Sequence, residues 1–472
     1  MQAATELQRD LVLVGGGHSH ALALRMFGMR PIEGLRITLI SPASHTPYSG
    51  MLPGLIAGHY TFEDSHIDLA RLCQWAGVRF LVAEVTGLDT DSRTLQLRGR
   101  PDVGYDWLSL DIGSSPELDA VPGAREYATP VKPVASLWQR WQTLEETVAR
   151  ADAPLQVALV GGGAGSVELA LAMAHRLQGK VSLSLWSAGS ELLQGYTRRA
   201  RSHVMQALSD QDIAVHLGAR VVAVEPGRLV AASAGEEQTY GHFDALFWCT
   251  AAAAAPWVAA AGLPTDEQGF LAVNDYLQST GEGSVFGAGD IATQVADPRP
   301  KAGVYAVRQA PVLAHNLRAL ALNQPLRAYR PQRRFLSLLS LGTRIAVADR
   351  GVFSARGAWL WRWKDRIDRQ FMARFSELPT GMAPTPIDRM PELVGSDAQM
   401  VCGGCGAKVG ADTLRDVLTE LADEFPRHCM NAGDDTVAVP APAGAPVLQS
   451  VDVLRQIIDD PWLMGRIAAN HA

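Results

Sequence analysis

A thiol and an ammonium group lie close together in residues 400–408 (MVCGGCGAK), which contain two cysteines, three glycines and a lysine. A neighbouring cation lowers the pKa of a thiol and can also balance phosphate charge. The glycines disfavour a helix or strand interior, so we predict a loop that approaches a bound anion. A thioredoxin-like redox pair and a zinc half-site are the alternatives for the two cysteines. Against zinc, the nearby candidate ligands His428 and Cys429 fit no common spacing. Against a thioredoxin-like pair, a proline-rich stretch stands where that motif needs a strand.

Aspartates follow at places where a nucleotide could be bound. Asp434 and Asp435 stand at a tight turn before an apolar run, and Asp452 stands within a second apolar run. Both runs have the composition of short strands, and residues 459–470 lead into a predicted helix. Carboxylates near strands, with no basic cluster, suit Mg²⁺ ions that bridge to nucleotide phosphates. The region is therefore predicted to bind Mg²⁺ and the phosphates of a nucleotide, and the resemblance described next implies that this nucleotide is ATP.

In this order, the motifs resemble the N-terminal part of selenide, water dikinase (selenophosphate synthetase). The matching segments are 404–408 (GCGAK), 433–435 (GDD), Asp452, 460–461 (DP) and 465–469 (GRIAA). The resemblance implies that Cys405 is the reactive cysteine and Lys408 its basic partner. The remaining implied roles are nucleotide contacts by Ala432, Gly433, Asp434 and Asp452, and a Mg²⁺ ligand at Asp435. The resemblance covers residues 400–472 and then stops, so we expect a truncated α+β segment that does not turn over ATP alone.

The first glycine-rich turn of the chain follows an apolar run, residues 10–14 (DLVLV). Gly15 and Gly17 occupy the first two glycine places of a dinucleotide-binding G-x-G-x-x-G, and His20 takes the third. Such a turn rests a pyrophosphate on the N-terminus of the next helix. The next predicted strand ends at Ser41, where an acidic residue usually binds a ribose; a serine can hydrogen-bond the ribose instead.

A second turn of the same design occurs later in the chain. Gly161 and Gly163 match the first two glycine places, and Glu168 lies in the first turns of the predicted helix. The strand that follows ends at Ser187 rather than at an acid. The arginine pair at 198–199 could favour a 2′-phosphate or form a solvated helix face, so NADH and NADPH both stay open.

A third motif, residues 283–292 (GSVFGAGDIA), is a short apolar strand that ends in G-x-G-D with Gly289 and Asp290. A backbone nest and a carboxylate there can meet the pyrophosphate and ribityl hydroxyls of a flavin. Together the three motifs resemble the FAD-dependent pyridine nucleotide–disulfide oxidoreductase superfamily, most closely its type II NADH dehydrogenase-like members, over residues 8–376. The resemblance implies an α/β fold with two Rossmann-like three-layer domains that bind FAD and NAD(P)H. No C-x₄-C pair lies in residues 40–60, so a disulfide-reductase mechanism is unsupported, and we name no catalytic residue in this half.

The motifs give an expected domain organisation, together with a homodimer. The domains are 8–125 with 262–330 (FAD-binding), 126–261 (NAD(P)H-binding), 331–376 (C-terminal segment of the flavoprotein), 377–398 (proline-rich linker, extended) and 399–472 (incomplete dikinase segment).

Residues 353–375 predict a basic amphipathic helix. Its apolar positions are Leu360, Trp363, Ile367, Phe371 and Phe375, and its basic positions are Arg362, Lys364, Arg366, Arg369 and Arg374. The helix either covers the flavin domain with a solvated basic face or lies in a membrane interface.

Composition narrows the function classes. A net charge of −7 and a pI near 6.0 argue against nucleic-acid binding by the whole chain. Five cysteines, odd in number and mostly far apart, indicate reduced thiols in the cytoplasm. Residues 245–263 are uncharged over 19 residues, but Pro256 interrupts them, so a strand, a turn and an alanine-rich helix are predicted instead of a membrane span.

The sequence therefore predicts a cytoplasmic FAD-dependent NAD(P)H oxidoreductase fused to the start of a selenide, water dikinase. The small-molecule electron acceptor is a selenium species, reduced to the selenide that the second module consumes, or a quinone. The first alternative is an NADH:quinone oxidoreductase, peripheral on the inner face of the membrane through residues 353–375. The second is a non-catalytic nucleotide-binding regulator, because His20, Ser166 and Ala251 depart from the expected motifs.

Overall fold

The computed structural model describes residues 9–233, 236–250, 252–379, 388–391, 436–439, 447–450, 458 and 460–471. The chain divides into two compact units, residues 7–392 and residues 393–472 together with 1–6. The first unit contains both glycine-rich turns and is built on two parallel sheets.

The first parallel sheet carries the first glycine-rich turn. Its strands, in the order β22-β10-β1-β3-β6, are β1 (Arg9–Val14), β3 (Leu35–Ser41), β6 (Arg79–Val82), β10 (Trp107–Leu110) and β22 (Val285–Gly287). Residues 11–14 of β1 are all buried, as expected of a parallel strand that is covered on both faces. Helix α1 (His18–Met29) follows β1 and contacts α4 (Leu69–Ala76) and α10 (Gly303–Ala321). Because β22 comes from far along the chain, the chain leaves this sheet and later returns to it.

The second parallel sheet carries the second turn. Its strands, in the order β12-β19-β13-β14-β15, are β12 (Thr129–Pro130), β13 (Leu155–Val160), β14 (Val181–Trp186), β15 (Ala214–His216) and β19 (Ala245–Trp248). One core includes Leu159 and Leu185 of this sheet with residues of α6 (Val134–Arg150), α7 (Ala164–Leu177) and α8 (Arg198–Asp210). A second core joins Trp186 and Trp248 to the antiparallel sheet of β16 (Arg220–Glu225), β17 (Arg228–Ser233) and β18 (Glu236–His242). The predicted α/β fold with Rossmann-like units is confirmed, whereas the domain boundaries stay predictions.

Shorter elements complete the first unit. The remaining strands are β2 (Ile32–Glu33) with β27 (Asp388–Arg389), β4 (His45–Pro47) with β5 (His66–Asp68), β7 (Val85–Asp89) with β8 (Thr94–Leu97) and β9 (Arg100–Gly104), β11 (Ser115–Pro116) with β20 (Ala252–Ala253), and β21 (Leu271–Val273) with β23 (Ala292–Gln294). The short helices are α2 (Leu52–Ile56), α3 (Phe62–Ser65), α5 (Ala124–Tyr127), α9 (Pro256–Ala260) and a 3-10 helix (Gly289–Ile291). The uncharged run 245–263 thus forms strands and a short helix, as predicted.

The helix predicted over 353–375 begins later than expected. Residues 353–357 form strand β26 (Phe353–Gly357), which pairs with β25 (Ala346–Arg350) beside β24 (Ser337–Ser340). Helix α11 spans Ala358–Ser376. The backbone pairing with β25 holds the first residues extended, and this pairing is not visible in a helical periodicity.

Two sets of residues on α11 lie differently from the prediction. Leu360, Phe371 and Phe375 are buried. Trp363 and Ile367 are 43% and 39% exposed, and the neighbouring Trp359 is 53% exposed. Conversely, the charged residues Lys364 and Asp368 are buried, at 8% and 4% exposure. The helix therefore buries a face that contains an ion pair and exposes part of its apolar sequence.

The predicted linker is not an extended spacer throughout. Residues 388–389 form β27, which pairs in parallel with β2. The carboxylate of Asp388 accepts a hydrogen bond from Arg30 (2.7 Å) and forms an ion pair with Arg318. These ion pairs and the buried Met390 hold residues 388–391 against the rest of the first unit.

The second unit contains the described part of the predicted dikinase segment. Strands β28 (Thr436–Val439) and β29 (Val447–Ser450) pair in antiparallel fashion, and α12 spans Pro461–His471. Asp460 accepts hydrogen bonds from the backbone N–H groups of Trp462 and Leu463 and so caps α12. Across all described residues, no helix combines the length and the apolarity needed to cross a membrane.

Candidate functional site

The first glycine-rich turn joins β1 to α1 and has no room for side chains. Gly15 has φ +94°, and a Cβ there would lie 2.4 Å from the carbonyl oxygen of Asp111. Its N–H donates to the carbonyl of Ile40 (2.8 Å). The turn therefore needs glycine for both its dihedral angle and its close approach to the neighbouring strand end, β10.

A buried carboxyl group, Asp111, lies beneath this turn, and the sequence analysis missed it. A Cβ on Gly17 or on Gly289 would lie 2.3 Å from the Asp111 side chain. Its Oδ2 accepts a hydrogen bond from the N–H of His20 (3.0 Å) in the first turn of α1. Burial raises the pKa of Asp111 to about 7, against the opposing effect of the N–H groups of His20 and Ser19. The sequence signal was present: an apolar strand at 107–110 runs straight into Asp-Ile-Gly.

His20 occupies the third glycine place as a buried, neutral side chain. Its ring nitrogens contact the carbonyl oxygen of Gly15 (Nδ1, 2.7 Å) and the hydroxyl of Ser109 (Nε2, 2.8 Å). Burial lowers its pKa to about 4, despite the hydrogen bond to Gly15. The imidazole thus ties the turn to β10, which explains why the third glycine is dispensable here.

The third motif meets the first turn at the same place. Gly289 has φ +68°, and its N–H donates to Oε1 of Gln309 (2.8 Å). The carboxylate of Asp290 accepts hydrogen bonds from Nζ of Lys132 (2.7 Å) and from the hydroxyl of Ser114 (3.1 Å). The structure therefore brings the predicted residues Gly15, Gly17, Gly289 and Asp290 together. The predicted Ser41 is buried at the end of β3, and its hydroxyl donates to the carbonyl of Ala43 (3.0 Å).

The residues around the first turn fit FAD. Glycines at 15 and 17 let the turn pack directly on Asp111, so its backbone forms the kind of tight turn before a helix N-terminus on which a pyrophosphate rests. His18, at the start of α1, is half-buried, and its buried Nε2 has no hydrogen-bond partner among the described residues. Burial lowers the pKa of His18, against the opposing charge of Asp290. A neutral donor or acceptor is thus available beside the turn.

We predict that the buried carboxyl group of Asp111 makes FAD binding pH-dependent. Its protonated form is neutral, whereas its ionised form repels a pyrophosphate at the N-terminus of α1. We expect FAD affinity to fall about tenfold from about pH 6 to about pH 8, since the pKa of this carboxyl is near 7. Fluorescence titration of apoprotein with FAD measures this dependence. Asp111→Asn keeps the shape without the charge and should give a flat profile; an equally steep profile in this variant would assign the effect to another group.

The second turn differs from the first in how tightly its glycines are enclosed. Gly161 has φ +139°, and a Cβ there would lie 2.4 Å from the carbonyl oxygen of Cys249. A Cβ on Gly163, by contrast, would have no atom of the described residues within 4 Å. The hydroxyl of Thr250, next to β19, is buried and has no partner in the part of the chain that the structure describes. These features fit a second dinucleotide, with an orphaned hydroxyl left for the ligand.

Glu168, predicted to contact a nucleotide, belongs to a buried ion cluster that we define as Glu168, Lys364, Asp368 and Tyr48. Oε1 of Glu168 accepts a hydrogen bond from the N–H of Ser340 (2.7 Å). Burial raises the pKa of Glu168 to about 7, while the charge of Lys364 opposes that rise. A carboxyl group with this pKa can exchange a proton near neutral pH.

Lys364 and Asp368 form the centre of this cluster. Nζ of Lys364 donates to Oδ2 of Asp368 (2.6 Å) and to the carbonyl of Gly50. Burial raises the pKa of Asp368, against the effects of Lys364 and of the Tyr48 hydroxyl that donates to it. Burial and the Asp368 charge also raise the pKa of Tyr48. The sequence did not indicate this pair, because Lys364 was counted among the basic positions of α11 that face either solvent or a membrane interface.

Aromatic side chains adjoin the cluster, and a cavity lies further along α11. The ring of Tyr48 stacks on Phe371 at 4.5 Å between centroids and lies edge-on to His18 at 5.4 Å. One turn further along α11, Met372 and Phe375 line a cavity of about 690 Å³. The other side of this cavity is formed by the β4–α3–β5 region and includes His45, Phe62, His66 and Ile67.

Several predicted site residues cannot be placed. Cys405, Lys408, Ala432, Gly433, Asp434, Asp435 and Asp452 lie outside the described residues. Their predicted roles in ATP and Mg²⁺ binding stay predictions. In the described part of the chain, no group of three or more histidine, cysteine, aspartate or glutamate side chains is arranged to hold a metal ion.

Comparison with known proteins places this site in context. The profile of the family described as "Pyridine nucleotide-disulphide oxidoreductase" matches residues 9–310. A demethylphylloquinone reductase from Synechocystis is 25% identical over 354 residues, which cover 73% of this chain and 87% of that protein.

Two solved structures share the fold. One is the sulfide:quinone oxidoreductase of Aquifex aeolicus, with a TM-score of 0.65, 20% identity and coverage of 78% of this chain and 92% of that chain. The other is the NDH2 protein of Plasmodium falciparum in complex with NADH, with a TM-score of 0.66, 15% identity and coverage of 79% and 99%. At these identities the likeness concerns the fold alone.

Proposed function

Because this chain belongs to the pyridine nucleotide-disulphide oxidoreductase family, we propose that it passes electrons from NAD(P)H through FAD to a quinone. The chain is an FAD-dependent NAD(P)H oxidoreductase; the quinone is the proposed part. The proposed reaction is NAD(P)H + H⁺ + quinone → NAD(P)⁺ + quinol. FAD, when bound, accepts hydride from the nicotinamide and gives up two electrons to the acceptor.

The arrangement of thiols carries the proposal. Residues 40–60 contain no cysteine. Among the described residues, the free cysteines are Cys73 and Cys249, and burial raises the pKa of both, that of Cys73 to about 12. Neither is a ready thiolate, so a dithiol–disulfide relay has no residues to use in this part of the chain. We therefore propose that electrons leave the flavin for a small molecule; the Synechocystis relative is named as a demethylphylloquinone reductase.

The buried ion cluster suits quinone chemistry because quinol formation needs protons as well as electrons. Glu168, with its pKa near 7, holds a proton at a carboxyl oxygen close to neutral pH. Lys364 and Asp368 place a second exchangeable proton next to the Tyr48 hydroxyl. We propose that these groups supply protons to the acceptor. The cavity offers apolar side chains for its ring and tail, namely Phe62, Ile67, Met372 and Phe375, beside charged side chains that include Asp64, Arg71 and Arg369.

The experiment for the main proposal is a steady-state assay of the purified, FAD-loaded protein. We expect a short-chain quinone to accelerate NAD(P)H oxidation well beyond the rate with dioxygen alone. If the quinone does not accelerate NAD(P)H oxidation, the proposal is wrong. Selenium compounds, the acceptor favoured in the sequence analysis, serve as the comparison, and acceleration by them alone would restore that hypothesis. A purified protein that takes up no flavin would instead favour the regulatory alternative.

A membrane surface is the proposed place of quinone access. Trp359, Trp363 and Ile367 repeat every fourth residue along α11 and are exposed, and Val352 and Phe353 at the neighbouring hairpin are 100% and 56% exposed. Arginines at 356, 362 and 366 accompany these side chains in sequence. Tryptophan and arginine together suit an anionic lipid interface.

Liposome binding tests this contact. We expect the protein to co-sediment with vesicles that contain anionic lipid, and Trp359→Ser/Trp363→Ser to lower the bound fraction severalfold because about 25 cal/mol is lost per Å² of apolar area. The matched control is Trp75→Ser, since Trp75 lies on α4 and its indole N–H donates to Pro379 (2.8 Å). Equal sedimentation of all three proteins would argue against this surface.

The dikinase fusion stays a prediction from the sequence. None of the comparisons reported above supports it. The residues predicted to act in it lie outside the described residues, whereas the motif segments 460–461 and 465–469 belong to α12 and its cap. A phosphorus NMR assay with ATP and selenide would test it directly.

A further inference from the structure

The strand that should present the nucleotide ribose ends in a serine that is held against the glycine turn. A Cβ on Gly162 would lie 2.3 Å from the hydroxyl oxygen of Ser187, directly after β14. Ser187 is 4% exposed. In NAD-binding folds an acidic residue at this place hydrogen-bonds the ribose hydroxyls, and its charge opposes a 2′-phosphate. This chain has a neutral hydroxyl at that position.

Backbone contacts fix the hydroxyl in place. Its oxygen accepts a hydrogen bond from the N–H of Gly189 (3.2 Å), and the N–H of Ser187 donates to the carbonyl of His216 (2.9 Å). The N–H of Leu193 donates to the carbonyl of Gly162 (2.8 Å), so the loop folds back over the glycine turn. A serine hydroxyl can donate its own hydrogen to an ester or phosphate oxygen while it accepts from the backbone.

The loop from 187 to 193 contains a single acid, Glu191, and that acid is neutralised. Arg201 of α8 forms an ion pair with it. Arg198 and Arg199, in the same helix turn, are exposed. The neighbouring loop after β15, residues 217–219, has no acidic residue. The pair of Glu191 and Arg201 has no net charge, and the exposed Arg198 and Arg199 at the start of α8 supply cations for a doubly charged 2′-phosphate.

We propose that this chain uses NADPH at least as efficiently as NADH, with Ser187 as the residue that determines selectivity. The inference rests on the proposed function as an NAD(P)H oxidoreductase. It deepens that function by naming the 2′-phosphorylated dinucleotide as the electron donor. The 2′-phosphate of NADPH accepts hydrogen bonds from the Ser187 hydroxyl and from the arginines of α8. When NADH binds, the protein has no carboxylate at position 187 to hold the ribose hydroxyls.

Two readouts test the proposal on the FAD-loaded full chain. Steady-state kinetics give kcat/KM for NADPH and NADH, and we expect a ratio of one or more. Calorimetry with 2′,5′-ADP and with 5′-AMP compares the phosphorylated and plain ribose without turnover, and we expect tighter binding of 2′,5′-ADP. A preference of about tenfold or more for NADH, or equal binding of the two probes, would overturn the proposal.

Substitutions locate the effect. Ser187→Glu should lower kcat/KM for NADPH and the affinity for 2′,5′-ADP about tenfold. It should leave kcat/KM for NADH unchanged or raise it. Arg201→Gln leaves the charge of Glu191 without its partner and should lower kcat/KM for NADPH but not for NADH. This second variant tests the proposal even if a glutamate does not fit at position 187. The matched control, Ser182→Glu, adds the same charge at an exposed position of β14 and should change neither ratio. An unchanged ratio in both test variants would refute the assignment to Ser187.

The outcomes separate this inference from the proposed function. Oxidation of NADH but not of NADPH would refute the selectivity and leave the oxidoreductase function intact. Oxidation of neither nucleotide would refute the function as proposed. Binding of 2′,5′-ADP and 5′-AMP would still show whether the ribose site prefers the 2′-phosphate.

Discussion

Lys364→Met will lower the free energy of unfolding of the flavoprotein by about 3–5 kcal/mol at about pH 8. The substitution removes the hydrogen bonds from Nζ to Asp368 and to the carbonyl of Gly50. It leaves the Asp368 carboxylate buried, with 5% of its side chain exposed, and without its cation. The Tyr48 hydroxyl remains as a donor but supplies no charge. Urea denaturation followed by circular dichroism measures the loss.

The pH dependence and a double variant identify the cause. Burial raises the pKa of Asp368 in the fold, so the ionised form opposes folding above that pKa and the opposition disappears once the carboxyl is protonated. The loss should therefore shrink as the pH falls. Lys364→Met/Asp368→Asn removes both charges and should recover at least half of the loss. Arg98→Met, which breaks the exposed pair with Glu84, is the matched control and should have no measurable effect. A Lys364→Met protein as stable as the wild type would show that the pair is not isolated from water.

Gly15→Ala will reduce the flavin content of the purified protein to about a tenth or less. A side chain at φ +94° is strained by about 1–2 kcal/mol. Its Cβ would also press on the backbone of Asp111 from 2.4 Å, which displaces the turn on which the pyrophosphate of FAD is expected to rest. The ratio of flavin to protein absorbance measures the effect, and circular dichroism verifies that the variant is folded.

The second glycine turn provides the control for this prediction. Gly163 has φ −85°, and an added Cβ would have no atom of the described chain within 4 Å. Gly163→Ala should therefore fold and stay yellow, and any effect should fall on NAD(P)H binding. Full flavin content in Gly15→Ala would show that the first turn does not hold FAD.

Patterns within a few residues were enough to indicate the type of fold. The apolar runs at 10–14 and 156–160, each followed by closely spaced glycines, indicated strands, tight turns and helices, and the structure contains these elements. Local composition also indicated α12 and the strands before it. These features depend on hydrogen bonds and dihedral angles between near neighbours, so a single sequence is enough to identify them.

Part of the candidate site could not be predicted because its residues come from distant segments. Asp111 acquires a role only because β10 lies beside β1, which places its carboxyl under Gly17 and Gly289. Lys364 and Asp368 looked like ordinary surface charges of an amphipathic helix, and only the packing of α11 near Gly50 and Ser340 buries them.

The sequence by itself determined that this chain has two dinucleotide turns and the type of fold that carries them. The tertiary structure decided which charged groups surround those turns, which side of α11 is exposed, and where the segment at 388–391 docks. The physical reason is that turns and strands are stabilised locally, whereas burial, pKa shifts and ion pairs depend on neighbours that only folding brings together.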